Sequence, residues 1–269
     1  MTNLNLKIVA QIMGILLVFN GGFMLIPSIY SWIIDEAVAL DIGLSALISI
    51  LVGLSAMFFT RNHNKDITPK EGYLIVSLGW LFMVLSGMLP YVISGEIKGI
   101  ENSFFETMSG YTTTGASILN DIESLPQGIL LWRSFTHWIG GMGIIVLAVA
   151  ILPFLGIGGM QLFSAESPGP SADKVKPKIA DTAKRLWFIY FGYTLSEAIL
   201  LKVAGMNWFD ATNHALSTLS TGGFSTKNAS IADWNDSPLI QYIIIFFMFL
   251  AGTNFVVSYY AFKGKIHNV

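Results

Sequence analysis

The stretch ETMSGYTTTGASIL, Glu106–Leu119, lies between two long apolar runs yet consists mostly of small and hydroxylated residues. Ser109, Thr112, Thr113, Thr114 and the glycines Gly110 and Gly115 would be costly if they faced lipid. A second stretch, ALSTLSTGGFST at 215–226, repeats the pattern. In both, an apolar segment of helical length ends in Thr-Gly and a polar segment follows. Sliding one over the other without gaps pairs Gly115 with Gly222, Thr114 with Thr221 and Thr113 with Ser220. Neither segment is long enough to span a bilayer, and each is broken by glycine. Irregular backbone at membrane depth is tolerated only when buried in protein or lining water. The pattern therefore predicts a span, a re-entrant half-helix, an extended loop and a second span, used twice. The half-helices are expected near 101–112 and 208–219.

Outward from these stretches the chain has the composition of an integral membrane protein. Of its 269 residues 53% are hydrophobic and only 12% charged, where a soluble domain carries about 25% charged residues. A net charge of −2 argues against a nucleic-acid surface, and the absence of cysteine excludes disulfides and thiolate metal sites. Six apolar runs reach spanning length, at 8–33, 42–60, 72–94, 128–155, 186–205 and 238–262. The first is too long for a signal-peptide core and reads as a retained span. If all six cross, Lys7, Arg61, Lys174, Arg185 and Lys265 share one face, while the other carries only Lys98 and Lys227 among many acids. The positive-inside rule then places both termini in the cytoplasm. Trp32, Trp132, Trp208 and Trp234 fall near the outer span ends, where indoles favour the interface.

The Thr-Gly loops have the chemistry of a cation path. Backbone carbonyls replace hydration oxygens without burying a fixed charge. Glycine permits the backbone shapes that turn neighbouring carbonyls toward one axis, and β-branched threonine stiffens the loop. A half-helix aims its partially negative C-terminal end at the loop, which favours a cation there. The candidate potassium-binding residues are Thr113, Thr114, Gly115, Ser220, Thr221 and Gly222, flanked by Thr112, Ala116 and Gly223. The competing reading, a helix-packing seam, would repeat every fourth residue along a full span, and these residues do not.

Other residues read as structural. The glycines of HWIGGMG (137–143) are expected to let a span pack against the first half-helix. Asp210 reads as a helix cap, His214 as a packing residue, and Glu106 as a bond to neighbouring backbone rather than a source of potential. Arg133 and Lys202 are expected to reach headgroups from outer span ends, and Glu197 to pair within the bundle. Asn254 fits either a cavity or a neighbouring helix. No catalytic constellation is legible; an intramembrane hydrolase built on Ser217 or Ser220 with a histidine is the weak alternative.

At these residues the chain resembles the Trk/Ktr/HKT superfamily of potassium transporters, and within it the bacterial Trk-type potassium-uptake pore subunit. FFETMSGYTTTGAS and HALSTLSTGGFST are similar to that family's first two pore loops, and AESPGPSADKVKPKIADTAKRLW (165–187) to its connecting cytoplasmic loop. The resemblance implies an all-α membrane protein. Two N-terminal spans (1–71) come first, then a first pore repeat (72–160), a cytoplasmic connector (161–185) and a second repeat (186–269). It implies potassium uptake across the inner membrane, with no enzyme activity and no cofactor beyond the transported ion. It also implies a homodimer, a cytoplasmic NAD- or nucleotide-binding regulatory subunit, and third and fourth repeats that would follow on a longer chain. In this family glycine at the first loop's key position accompanies potassium and serine accompanies sodium, so Gly115 points to potassium. The alternatives are a sodium-conducting relative and a non-conducting assembly or regulatory subunit.

Overall fold

The computed structural model describes residues 4–61, 68–143 and 179–253, and all regular structure among them is helical. The helices are α1 (Leu6–Ile33), α2 (Val38–Thr60), α3 (Pro69–Gly87), α4 (Leu89–Ser94), α5 (Ile100–Tyr111), α6 (Gln127–Gly141), α7 (Ile179–Val203), α8 (Trp208–Leu219) and α9 (Pro238–Gly252), with a 3-10 turn at Ser230–Trp234 before α9. By length and composition Leu6–Ile33, Val38–Thr60, Lys70–Ser94 and Arg185–Val203 can cross a membrane. The far ends of the runs at 128–155 and 238–262, Asn254, and nearly all of the connector at 161–185 lie outside the described residues.

The chain divides into two compact units, Met1–Ser94 with Gly143–Lys184, and Gly95–Met142 with Arg185–Val269. In the first, α1 and α2 pack along their length at glycine contacts. A Cβ on Gly14 would stand 2.7 Å from the Gly53 carbonyl oxygen, and one on Gly21 2.7 Å from that of Ala46. Small residues let backbones approach in this way. Beside this seam runs a buried polar chain: Asn20 Nδ2 donates to Ser86 Oγ at 3.0 Å, and Ser86 Oγ lies 2.7 Å from Ser49 Oγ. The Glu71 carboxylate accepts from the Thr68 and Asn5 backbone N–H groups, both at 2.7 Å, and so ties the starts of α3 and α1 together. Helix α3 pauses at Met88, two residues before Pro90, which has no N–H to continue the ladder.

In the second unit α6 is the central element, with every residue from Gly128 to Gly140 buried. That corrects two expectations. Trp132 is 0% exposed and Arg133 2%, so neither sits at an interface; Trp32 and Trp208, at 73% and 58%, do stand exposed. The cause is that α6 is flanked by both half-helices. A Cβ on Gly140 would run into the Tyr111 carbonyl at the end of α5, the close packing expected of that glycine. Gly141, however, faces the other half-helix, where a Cβ would stand 2.6 Å from Ser220 Cα. On its other side α6 meets α7: Trp138 Nε1 donates to Thr194 Oγ1 at 3.0 Å and the Tyr190 hydroxyl to the Trp138 carbonyl at 3.0 Å. A small apolar cluster of Leu201, Met206, Ala211, Ile240 and Ile244 seats α7, α8 and α9 together.

Candidate functional site

Helices α5 and α8 are 12 residues each and stop at the two Thr-Gly stretches. Both stop by one device. After the C-caps Thr112 and Ser220, the N–H of Thr113 bonds Gly110 O and that of Thr114 bonds Ser109 O. Likewise Thr221 N–H bonds Thr218 O, and Gly222 N–H bonds Ser217 O. This is the Schellman pair of bonds, whose pivotal residue takes a left-handed conformation and is usually glycine. Here the pivots are threonines, at φ +53° for Thr113 and +56° for Thr221. A β-branched residue at positive φ is a true outlier, held at a cost of about 1–3 kcal/mol and found mostly at functional sites.

The shared device sets a repeat register one residue away from the ungapped alignment. Thr113 corresponds to Thr221, Thr114 to Gly222, and Gly115 to Gly223, the latter two at φ +75° and +92°. Ser220 instead matches Thr112; it is buried, and its hydroxyl donates to Ser217 O at 2.8 Å. The alignment had matched identical letters, whereas the chain matches helix ends.

The two loops touch. A Cβ on Gly115 would run into the Gly222 carbonyl oxygen, and one on Gly222 into the His137 ring of α6. His137 stacks on Phe224, ring centroids 3.8 Å apart, with Nδ1 3.3 Å from Ser217 Oγ. Thr114, Thr221 and Gly223 remain exposed, and Thr112 Oγ1 lies 2.8 Å from Thr114 Oγ1. The six candidate residues thus form one neighbourhood with Gly223 added.

The corrected register exposes an equivalence that residue identity hides. Glu106 and His214 occupy the same turn of their half-helices and reach the equivalent serines. Ser117 Oγ donates to Glu106 at 3.0 Å, together with the Ile118 N–H at 2.9 Å, while His214 Nε2 lies 3.0 Å from Ser225 Oγ. His214 also meets the Asp210 carbonyl through Nδ1 at 2.8 Å, so it ties loop to helix rather than merely packing. The eleven-residue spacing Glu-to-Ser and His-to-Ser was the available sequence signal. Asp210 is not the cap: Asn207 is, accepting from the Asp210 N–H at 2.8 Å. Asp210 instead accepts the Thr226 hydroxyl at 2.6 Å and anchors the far side of the second loop.

Arg133, expected at the headgroups, pairs with Glu106, Nε to Oε1 at 2.6 Å. Lys202 Nζ stands 5.9 Å from the Trp208 ring centroid. Glu197 is fully buried, and among the described residues it makes no ion pair. Ser217 and Ser220, the serines of the hydrolase alternative, are each only 2% exposed.

Beyond the loops, the polar segments are clamped. Lys227 Nζ lies 2.9 Å from Glu123 Oε2, Asn228 Nδ2 donates to Asp121 Oδ1 at 3.0 Å, and the Ile122 N–H donates to Asn228 Oδ1 at 2.7 Å. The hydrogen bond from Lys227, then the Asn228 N–H, lowers the Glu123 pKa; the hydrogen bond to Glu123 raises that of Lys227. A lowered carboxylate pKa gives stability that is lost as pH falls through it, and a raised lysine pKa gives stability that is lost as pH rises through it. The clamp should therefore hold unchanged from about pH 5 to about pH 10 and loosen on both sides. Amide hydrogen exchange of 121–123 and 227–229, corrected for its intrinsic pH dependence, should show a plateau across that window. A monotonic change within it would contradict the clamp.

The family model described as "TrkH: Cation transport protein" matches residues 41–268. The chain is 40% identical over 264 residues to the Trk system potassium uptake protein TrkH of Escherichia coli (strain K12), covering 97% of this chain and 54% of that protein. It is 34% identical over 267 residues to TrkG of the same strain, covering 98% and 55%. The crystal structure of the potassium transporter TrkH from Vibrio parahaemolyticus superposes with a TM-score of 0.82 at 35% identity, covering 97% of this chain and 53% of that one. The chain spans about half the length of the curated relatives it matches.

Proposed function

Because the chain belongs to the TrkH family of cation transport proteins, a family of transporters and not of enzymes, we propose that it supplies two of the pore loops of a potassium-uptake pathway. The observation that carries this reading is the pair of threonines held in left-handed conformation at equivalent helix ends, Thr113 and Thr221. A fold free to choose would place glycine there. Threonine at that strain, beside Gly115 and the exposed Gly223 at positive φ, supports an oxygen-lined cation path.

In this reading α5 and α8 are re-entrant half-helices, each with its partially negative end toward the ion. The ion-facing set is Thr113, Thr114 and Gly115 with Thr221, Gly222 and Gly223, and Ser220 at its edge. The domain layout is two N-terminal spans, two pore repeats and a cytoplasmic connector, in the inner membrane with both termini inside. A complete ring takes four such loops. The relatives named for potassium uptake support the substrate, as does Gly115. A homodimer and a cytoplasmic nucleotide-binding regulator complete the proposal. Uptake needs no chemical step: a membrane potential of about 60 mV sustains a tenfold potassium gradient.

Potassium flux into proteoliposomes carrying the full-length protein tests this; absence of flux would sink it, and sodium preferred over potassium would favour the sodium-conducting alternative. Thr113→Gly and Thr221→Gly sharpen the test. Each is expected to raise stability by about 1 kcal/mol through relief of strain and to lower potassium preference over sodium. A stabilised variant with unchanged preference would remove these threonines from the ion path.

A further inference from the structure

We propose that Arg133 is a positioning residue that brackets the two Thr-Gly loops at a fixed separation and so sets ion selectivity. The inference rests on the reading of these loops as a cation path. The bracket is built from one side chain. On one side Arg133 Nε donates to Glu106 at 2.6 Å, and the same carboxylate accepts from the Ile118 N–H at 2.9 Å and Ser117 Oγ at 3.0 Å. On the other side Arg133 Nη1 donates to the Ser225 carbonyl at 3.1 Å, and its guanidinium lies 3.5 Å from the Phe224 ring centroid. His137, one turn further along α6, stacks on the same ring at 3.8 Å.

The ends of this bracket are equivalent points: Ser117 stands two residues after Gly115, and Ser225 two after Gly223. Between them the loops meet, where a Cβ on Gly115 would run into the Gly222 carbonyl. Arginine suits the task because its planar fork sends donors in two directions at once, while its face rests on an aromatic ring. Lysine offers a single ammonium and cannot make both bonds in the same geometry. The pair is buried, 2% and 0% exposed, and a buried ion pair is weak evidence for stability in itself. Its geometric product is the spacing between two backbones. Glu106 is also neutralised by Arg133 and its oxygens are committed to the loop, so it holds no ion. The Ser225 carbonyl, accepting from Arg133, is likewise turned from the path.

The test uses Arg133→Lys in the full-length protein, with two readouts. Amide hydrogen exchange should rise in both 116–119 and 224–227, on loops about a hundred residues apart, and the potassium-to-sodium flux ratio should fall at least about fivefold (roughly 1 kcal/mol). Exchange that rises in only one loop, or a flux ratio within about twofold of wild type, would overturn the bracket. If wild-type protein carries no potassium, the proposed function fails, and the bracket then stands or falls on the exchange data alone. If Arg133→Lys is not recovered from membranes, Glu106→Asp decides by the same two readouts, since its shortened side chain cannot reach both loop and arginine. Recovery of neither would assign the pair to folding and overturn its role in selectivity.

Discussion

Gly115→Ser is expected to lower the potassium-to-sodium flux ratio of the full-length protein by about tenfold, or about 1.4 kcal/mol of discrimination, with membrane insertion intact. Two effects act together. Gly115 sits at φ +75°, a conformation that a Cβ disfavours, and the added atom would run into the carbonyl oxygen of Gly222. That oxygen belongs to backbone, so no side chain can rotate away and the loops must separate. The serine hydroxyl also re-lines the path with a new oxygen ligand. Gly223→Ser is the informative companion. It stands at φ +92° with nothing within 4 Å of its Cβ position, so it carries the conformational penalty without the collision. Its effect should point the same way and be smaller. An unchanged flux ratio in inserted Gly115→Ser protein would remove the first loop from the ion path.

Gly140→Ala should act differently, by destabilising the packing of α6 on α5 in the second unit. Its Cβ would collide with the Tyr111 carbonyl oxygen, and would stand 2.7 Å from the carbonyl carbon and 2.9 Å from Cα. Every one of these atoms is backbone at the end of α5. Overpacking of this kind typically costs about 1–3 kcal/mol, and the absence of a yielding side chain puts this case at the upper end. A thermal unfolding scan in detergent should show a midpoint several degrees lower; a midpoint equal to wild type would mean that α6 and α5 can slide apart freely. Gly141→Ala is not the clean packing control that its place in the sequence suggests. Its Cβ would stand 2.6 Å from Ser220 Cα and 2.8 Å from the Tyr190 hydroxyl, so it presses on the second loop and should shift both stability and ion ratio.

The positions of the helices were legible without coordinates, because they depend on local properties. Runs of apolar residues gave α1, α2, α3 with α4, and α7, and the polar interruptions gave α5 and α8 within a residue of their ends. Glycine and hydroxyl content marked the two loops for the same reason: such residues are expensive in lipid wherever they occur along a chain. The loops' mutual register was not legible. Matching Thr-Gly with Thr-Gly is a comparison of letters, and Gly222 and Gly223 are the same letter; only the Schellman bonds at each helix end distinguish them. Arg133 and Asp210 take roles other than those expected because tertiary packing supplies their partners. Arg133 near the start of α6 looks like a residue reaching for headgroups until Glu106, 27 positions earlier, and the Ser225 carbonyl, 92 later, are brought beside it. Asp210 looked like a cap because acids favour first turns, yet Asn207 holds that place and Thr226 claims the carboxylate. Composition and local pattern thus determined that the chain is a helical membrane protein with two broken segments of related design. Tertiary packing alone decided which atoms of those segments face each other, because α6, by burying nearly its whole surface between them, fixes contacts that no local stretch encodes.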